Sequence, residues 1–190
     1  MGIYLANVTP QDWSTPGEDG HGDIAAALDE ELARRGVPPY TPGEPGGRGR
    51  FAEKTSPPMD GFDALCRDRL TPEERHTLLS WSFVVPFALE EPVLLPIENS
   101  YDTETLVVGA PYVLALAERL AAALRLPLDL IPEPSGPHEL NAWFLDGDAE
   151  KTAAARPGPW ADDLDTAFFT ALYLRAAQYA QRHHCPLTYS

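Results

Sequence analysis

Proline is the residue type that most restricts how this chain can fold. The 190 residues include 20 prolines, about twice the share of an ordinary protein, together with 14 glycines. The densest stretch is 37–61, which reads VPPYTPGEPGGRGRFAEKTSPPMDG. Proline fixes φ and removes a backbone donor, so this stretch excludes a long helix and leaves a strand almost nowhere to pair. The sequence therefore predicts a long Pro/Gly-rich loop near residues 37–61.

The 37–61 loop also concentrates positive charge. Arg48, Arg50 and Lys54 fall within it, although the chain as a whole is acidic. Long loops in compact domains are either binding segments or irregular, solvated excursions. Arg48 and Arg50 are therefore candidate binding residues for an anion or a partner. The sequence favours the other interpretation, a solvated loop beside the protein's own acidic surface.

Outside the loop, helix and strand signals follow each other without a regular order. Ile24, Leu28 and Leu32 recur every four residues after Asp23, which predicts a capped amphipathic helix as far as about Arg35. Helices are also predicted in a corner around 62–74, over 111–126, over 149–156 and over 162–184. Thr71-Pro72-Glu73-Glu74 matches a capping box, and Asp162, Asp163 and Asp165 suit the start of the last helix, where they can accept from exposed N–H groups. Strands are predicted over 82–89, 92–97, 104–109, 140–145 and 185–189, the first two as a pair with at least one edge.

This mixed order predicts an α+β fold. We expect one compact domain over residues 1–190, in which short, mostly antiparallel strands pack with about four to five helices. Cys66 and Cys185 lie far apart and in no CxxC pattern, so neither a disulfide framework nor a closed zinc site is expected. The N-terminus has no signal-peptide pattern and no apolar run is long enough to span a bilayer, which favours a cytoplasmic protein.

Acidic side chains outnumber basic ones by 29 to 14, which gives a formal net charge of −15. Phosphate binding needs concentrated lysine and arginine, so this charge argues against nucleic acid and anionic membrane as partners. It favours a basic protein partner, which the long-range field attracts. Residues 43–49 contain glycines and Arg48 but lack the phosphate-binding pattern GxxxxGK[ST], and we expect no cofactor.

Glu98, Asp102 and Glu104 form the most plausible catalytic cluster, because they follow a predicted strand end, where substrates are often bound. Two carboxylates of different burial can divide acid and base roles in hydrolysis. A small hydrolase or metal-dependent enzyme that uses these acids with a histidine is therefore one hypothesis. The competing interpretation is a solvated turn, which so acidic a chain predicts from its composition alone.

His183, His184 and Cys185 place three potential metal ligands in a row. Neighbouring side chains at a helix end point in different directions, so a metal site there would need His76, His138 or acids from elsewhere. A capped helix end with a buried thiol is the simpler interpretation, and we expect no bound metal.

Two of the four tryptophans are candidate interface anchors. Trp13 and Trp160 are flanked by polar or proline-rich sequence, and a partly exposed tryptophan on an acidic surface would anchor a basic partner. Burial of both residues as lids over the core is the alternative. Trp81 and Trp143 adjoin apolar runs and are expected to be internal.

Two segments resemble uncharacterised acidic proteins of high-GC actinomycete bacteria. They are RPGPWADDLDTAFFTALYLRAAQ over 156–178 and VVGAPYVLALAERLAAAL over 107–124. The resemblance covers most of the chain, least clearly the 37–61 loop, and implies a bacterial cytoplasmic origin. It implies no activity, cofactor or site.

The sequence leaves three hypotheses of function. The preferred one is a non-enzymatic acidic binding protein that docks a basic protein partner, as an immunity protein or antitoxin does. The alternatives are the hydrolase or metal-dependent enzyme described above and a structural homo-oligomer built through exposed strand edges. Acids and histidines that meet in one pocket would favour the enzyme, whereas salt-sensitive binding of a basic protein would favour the docking protein.

Overall fold

The computed structural model describes residues 2–17, 20–43, 50–99 and 103–190. These ranges form six strands, eight α-helices and one short 3₁₀ helix at Pro159–Ala161. The strands are β1 (Tyr4–Asn7), β2 (Ala52–Lys54), β3 (Phe83–Val85), β4 (Val93–Leu95), β5 (Thr105–Gly109) and β6 (Leu187–Tyr189). The α-helices are α1 (Pro10–Ser14), α2 (Gly22–Arg34), α3 (Asp60–Arg69), α4 (Pro72–Ser80), α5 (Ala110–Leu124), α6 (Glu139–Leu145), α7 (Asp148–Ala155) and α8 (Leu164–His183). The helices outnumber the predicted four to five, partly because α1 is unexpected and α6 was predicted as a strand.

All six strands form one mixed sheet in the spatial order β2-β1-β6-β3-β5-β4. β3 and β5 run parallel, with Phe83 opposite Val107. The other four pairings are antiparallel. The mostly antiparallel sheet and its many helices confirm the α+β class, and the chain forms one compact fold.

Helices cover both faces of the sheet. Successive side chains of a strand point to opposite faces, so Phe83 and Val85 pack with α1 and α2, whereas Val84 packs with the larger helical layer. That layer contains α3 to α8, and α8 is buried along most of its 20 residues. Among the described helices, none has both the length and the apolar composition that a bilayer-crossing segment requires.

The predicted signals at helix starts are confirmed for α4 and α8. The Thr71 hydroxyl accepts a hydrogen bond from the Glu74 N–H, and the Glu74 carboxylate accepts one from the Thr71 N–H, so α4 begins with a capping box. The Asp163 carboxylate caps α8 by accepting from the Thr166 N–H at 3.0 Å. α2 differs from the prediction, because Asp23 lies in its first turn rather than at the cap.

The irregular stretch within 37–61 is shorter than predicted. Residues 44–49 lie outside the described residues, β2 follows them, and α3 begins at Asp60. The expectation that a strand could not pair here was wrong, because β2 pairs with β1. Phe51 is fully buried, and its N–H donates to the Asn7 side chain at 2.9 Å, which fixes the chain against β1.

The run 140–145, predicted as a strand, forms most of α6. Glu53 of β2 is fully buried, and its carboxylate accepts hydrogen bonds from the Leu140 and Asn141 N–H groups at 3.0 Å each. These are two of the backbone donors that the first turn of a helix leaves without an internal partner. A side chain distant in the sequence therefore stabilises the start of this helix.

The runs 82–89 and 92–97 each contribute a strand, but the predicted pairing between them was wrong. β3 and β4 both pair with β5, on opposite sides. β4 is an edge strand of the sheet, as the prolines around it suggested.

Candidate functional site

A pocket of about 1020 Å³ opens at one end of the sheet. β1, β3 and β5 begin at this end, and β2, β4 and β6 finish there, as their pairing directions require. The lining therefore comes from segments far apart in the sequence. We name this cavity the strand-end pocket and define it by six lining residues: Ile3, His21, Trp81, Glu98, Phe169 and Tyr189.

The interior of the strand-end pocket is largely aromatic. Trp81 stacks on Tyr189 with ring centroids 4.6 Å apart and meets Tyr173 edge-on at 6.1 Å. The Tyr173 and Tyr189 hydroxyls are hydrogen-bonded at 2.7 Å, which joins α8 to β6. The His21 imidazole packs edge-on against Phe83 at 4.9 Å. Trp81, Phe83 and Tyr173 are each no more than 3 % exposed, so these rings pack on one another and leave little of their surface open to a ligand.

Burial determines the protonation of the titratable groups in these walls. It raises the pKa of Tyr173 to about 12 and the pKa of Tyr189 well above its usual range, so both phenols are protonated at neutral pH. Burial lowers the pKa of His21, against the opposing effect of Asp12, so this imidazole is uncharged at neutral pH. The described lining includes no lysine or arginine, and it therefore presents no positively charged side chain.

Two carboxylates, Asp23 and Glu98, line the pocket beside the aromatic walls. Neither forms an ion pair within the described ranges, whereas nine basic side chains there are paired with other acids. Asp23 accepts a hydrogen bond from the Gly17 N–H at 3.2 Å. The pocket therefore carries negative charge that the described lysines and arginines do not neutralise.

The Trp81 side chain has one unsatisfied polar group. The residue is only 3 % exposed, and its indole N–H finds no hydrogen-bond partner among the described residues. A buried donor without an acceptor costs about 1–3 kcal/mol. Protein atoms cover the indole nitrogen, so a ligand in the cavity reaches it only if the wall rearranges.

The structure brings one of the three predicted acids to this pocket. Glu98 lines it, Glu104 is exposed at the start of β5 and is not part of the described lining, and Asp102 lies outside the described residues. Of the two basic candidates in the 37–61 stretch, Arg50 is exposed and Arg48 lies outside the described residues. The described residues therefore do not bring the predicted acids together in this pocket.

Trp13 and Trp160 are core residues, not exposed anchors. Trp13 is 4 % exposed and packs edge-on against Phe83 at 5.9 Å. Trp160 is 2 % exposed and stacks near Trp143 at 6.3 Å. The interpretation of either residue as an exposed anchor is wrong, because the surrounding aromatic residues cover both indoles.

His183, His184 and Cys185 do not converge on one point. The His183 ring stacks on Tyr179 at 4.1 Å, His184 is exposed at the C-cap of α8 with a φ of 50°, and Cys185 is fully buried. In the part of the chain that the structure describes, no group of three His, Cys, Asp or Glu side chains could hold a metal ion. The structure therefore forms the capped helix end with a buried thiol.

Both cysteines should be unreactive in the native protein. Burial raises the pKa of Cys66 and of Cys185 to about 12, so the reactive thiolate is scarce and the sulfur atoms are covered. We expect an aromatic disulfide reagent at mildly alkaline pH to label no thiol in the folded protein and two in concentrated guanidinium chloride. Rapid labelling of a native thiol would show that this part of the core opens readily.

Comparisons of this chain with protein-family models, curated proteins and solved structures found no match. The resemblance to actinomycete proteins therefore stays a prediction. The sequence points to Glu98 through its place after a predicted strand, and to none of the aromatic walls. The missing signals are the strand order and the packing of α8 on the sheet, which together bring Trp81, Tyr173 and Tyr189 into contact.

Proposed function

We propose that this chain is a non-enzymatic acidic binding protein that docks a basic protein partner at the strand-end pocket. The observation that most supports this function is a cavity lined by the exposed Asp23 and Glu98 carboxylates. Neither forms an ion pair within the described ranges, and the described lining includes no cationic side chain. The net charge of −15 attracts a basic partner from a distance. The proposed location of the complex is the bacterial cytoplasm.

Exposed apolar side chains at the pocket support a protein as the partner. Ile3 is 48 % exposed and Met59 is 38 % exposed, and both contribute to the lining. Apolar groups that flank a deep cavity gain stability when a macromolecule covers them. In this arrangement the acidic residues speed association, and the apolar contacts supply affinity.

The two alternative functions receive less support from the described residues. Glu98 has neither of the other predicted acids beside it in the described lining, which leaves the hydrolase without the carboxylate pair that the sequence suggested. The edge strand β4 lies between Pro92 and Pro96, and prolines beside an edge discourage a second chain from extending the sheet.

Selection from a displayed library of random nonapeptides tests the docking proposal. We expect the peptides retained at low salt to carry positive net charge and at least one large apolar residue, because the pocket and its mouth select for both. Binding of a retained peptide should weaken about tenfold when ionic strength rises from about 0.05 M to about 0.5 M, since exposed charges are screened.

The double variant Ile3→Ser/Met59→Ser should retain far fewer of these peptides than the wild type. Leu94→Ser is the matched control, because Leu94 is 57 % exposed on β4 and does not line the pocket. It should retain the peptides as the wild type does. Selection of neutral or acidic peptides, or equal retention by the Ile3/Met59 variant, would contradict docking at this pocket.

A further inference from the structure

The sheet has two edge strands among the described residues, β2 and β4. An edge strand presents backbone N–H and C=O groups with which a strand of another chain can pair. β4 lies between Pro92 and Pro96, which discourage such pairing. β2 is covered in another way, because the start of α6 packs along its outer side.

The pairing of β2 with β1 determines which backbone groups of β2 face outward. The Thr55 N–H donates to the Ile3 carbonyl at 2.9 Å, just beyond the paired segment. Alternate residues of an antiparallel strand bond to the same neighbour, so the Glu53 backbone also faces β1. The backbone N–H and C=O groups of Ala52 and Lys54 therefore point away from β1, toward α6.

The start of α6 occupies the place that a further strand would take. The Lys54 N–H donates to the Asn141 side-chain oxygen Oδ1 at 2.6 Å, and Asn141 Nδ2 donates to the Lys54 carbonyl at 2.8 Å. Directly opposite residues of antiparallel strands exchange two hydrogen bonds in the same way. The His138 N–H donates to the Ala52 carbonyl at 2.9 Å. The outward-facing groups of β2 are therefore largely bonded to α6 and to the residue before it.

Burial holds the Asn141 amide in this position. Asn141 is 9 % exposed, and its backbone N–H, together with that of Leu140, donates to the Glu53 carboxylate at 3.0 Å. Leu140 is fully buried and Phe144 is 4 % exposed, so α6 is anchored in the core beside Asn141. A side-chain amide has the donor and the acceptor of a peptide group, and one that is already held in place loses little entropy when it bonds to a strand.

Without this cover, the β2 edge would be complementary to itself. Two copies related by a two-fold axis beside Glu53 would place Ala52 of each copy opposite Lys54 of the other. Each outward-facing donor or acceptor would then meet its complement on the second copy. The two Glu53 side chains would lie opposite each other, and their like charges would oppose the pairing. A second copy is the partner that the geometry of this edge fits.

We infer that the Asn141 side chain acts as a substitute strand, which closes the β2 edge against pairing with a second copy of this chain. This inference goes beyond the proposed docking function and does not depend on the strand-end pocket. It gives Asn141 a role in preventing self-association, in addition to its contribution to stability. The competing interpretation is that the bulk of α6 closes the edge and that the two side-chain hydrogen bonds only add stability.

Amide hydrogen exchange, followed residue by residue by NMR, tests the bonds at the edge. We expect Asn141→Ala to speed the exchange of the Lys54 amide at least about tenfold, because this N–H loses its acceptor. The Glu53 amide is the internal control, since it faces β1 and should keep its protection. Equal protection of the Lys54 amide in Asn141→Ala and in the wild type would overturn the inference.

Sedimentation velocity over a range of protein concentrations tests the closure of the edge. We expect Glu53→Ala/Asn141→Ala to form a dimer that the wild type does not form, because this variant loses side-chain bonds between β2 and α6 and also the opposing charges of the paired strands. The dimer share should rise with concentration.

Leu28→Ala is the control for lost stability, because Leu28 is fully buried on α2 and packs on the other face of the sheet. It should sediment as the wild type does. A double variant that sediments as the wild type does, or equal self-association of Leu28→Ala, would overturn the inference. If circular dichroism shows that the double variant is unfolded, the exchange of the Lys54 amide in Asn141→Ala decides the inference.

Discussion

Replacing Trp160 with alanine is expected to lower the free energy of unfolding by about 3–5 kcal/mol. Trp160 is 2 % exposed, stacks near Trp143, and donates its indole N–H to the Arg156 carbonyl at 3.3 Å. Loss of the indole removes a large buried surface and leaves a cavity beside α8, because the surrounding side chains relax only partly. Urea unfolding followed by circular dichroism measures the change.

Trp160→Phe is the matched variant for this experiment. It keeps an aromatic ring in the core and loses the indole hydrogen bond, so we expect it to cost about 1–2 kcal/mol. If Trp160→Ala lowers the free energy of unfolding by less than about 0.5 kcal/mol, the change is typical of an exposed position. That result would restore Trp160 as a candidate surface anchor.

Glu53→Ala is expected to lower the free energy of unfolding by about 2–4 kcal/mol. The substitution leaves the Leu140 and Asn141 N–H groups at the start of α6 without their acceptor, in a region closed to water. Glu30→Ala is a suitable control, because Glu30 is exposed on α2, and we expect it to change stability by less than about 0.5 kcal/mol. Similar costs for the two variants would show that the Glu53 carboxylate does not stabilise α6.

The contribution of Glu53 to the free energy of unfolding should decrease as pH rises, as expected for a buried acid. Burial raises the pKa of the Glu53 carboxyl, although the Asn141 and Leu140 N–H donors lower it in part. A raised pKa in the folded state means that the contribution to stability is fully present below the ordinary carboxyl pKa and is lost as pH rises through the raised value.

Glu53→Gln isolates this effect, because the amide stays neutral at every pH and all other titrating groups are shared with the wild type. The free energy of unfolding of the wild type minus that of Glu53→Gln should fall as pH rises above the ordinary glutamate pKa of about 4.3. Chemical unfolding at a series of pH values gives this difference. A difference that grows over the same range would mean that the carboxylate is the form the fold prefers.

The correct sequence predictions depend on interactions within one or two turns. The capping box of Thr71 and Glu74 and the cap formed by Asp163 each join residues three positions apart, so the local sequence contains both partners. The four-residue spacing on α2 is local in the same way. These signals place the helix starts and the apolar faces, and through them the α+β class.

The wrong predictions depend on partners distant in the sequence. Residues 140–145 are helical with Glu53 at their start, and β2 exists because β1 lies beside it. Neither partner can be recognised from the neighbouring residues. The burial of Trp13 and Trp160 has the same origin, since polar and proline-rich flanks say nothing about which aromatic residues will cover an indole.

The candidate site was predictable only in small part for the same reason. Glu98 follows a strand and could be singled out, but its neighbours Trp81 and Tyr189 come from the start of β3 and the end of β6. Their meeting depends on the order of strands in the sheet. The composition shows that the molecule is acidic. Only the fold shows which carboxylates lie away from lysine and arginine side chains.

The central position of β6 affects how the chain folds while it is being synthesised. Among the described strands, β6 joins the β2–β1 pair to the β3–β5–β4 group, by pairing with β1 on one side and β3 on the other. Residues 187–189 are translated after every other strand, so the two half-sheets remain separate until this segment leaves the ribosome. The unpaired edges of β1 and β3 are open to other nascent chains during that interval. The need for chaperone protection should therefore last until β6 has been translated.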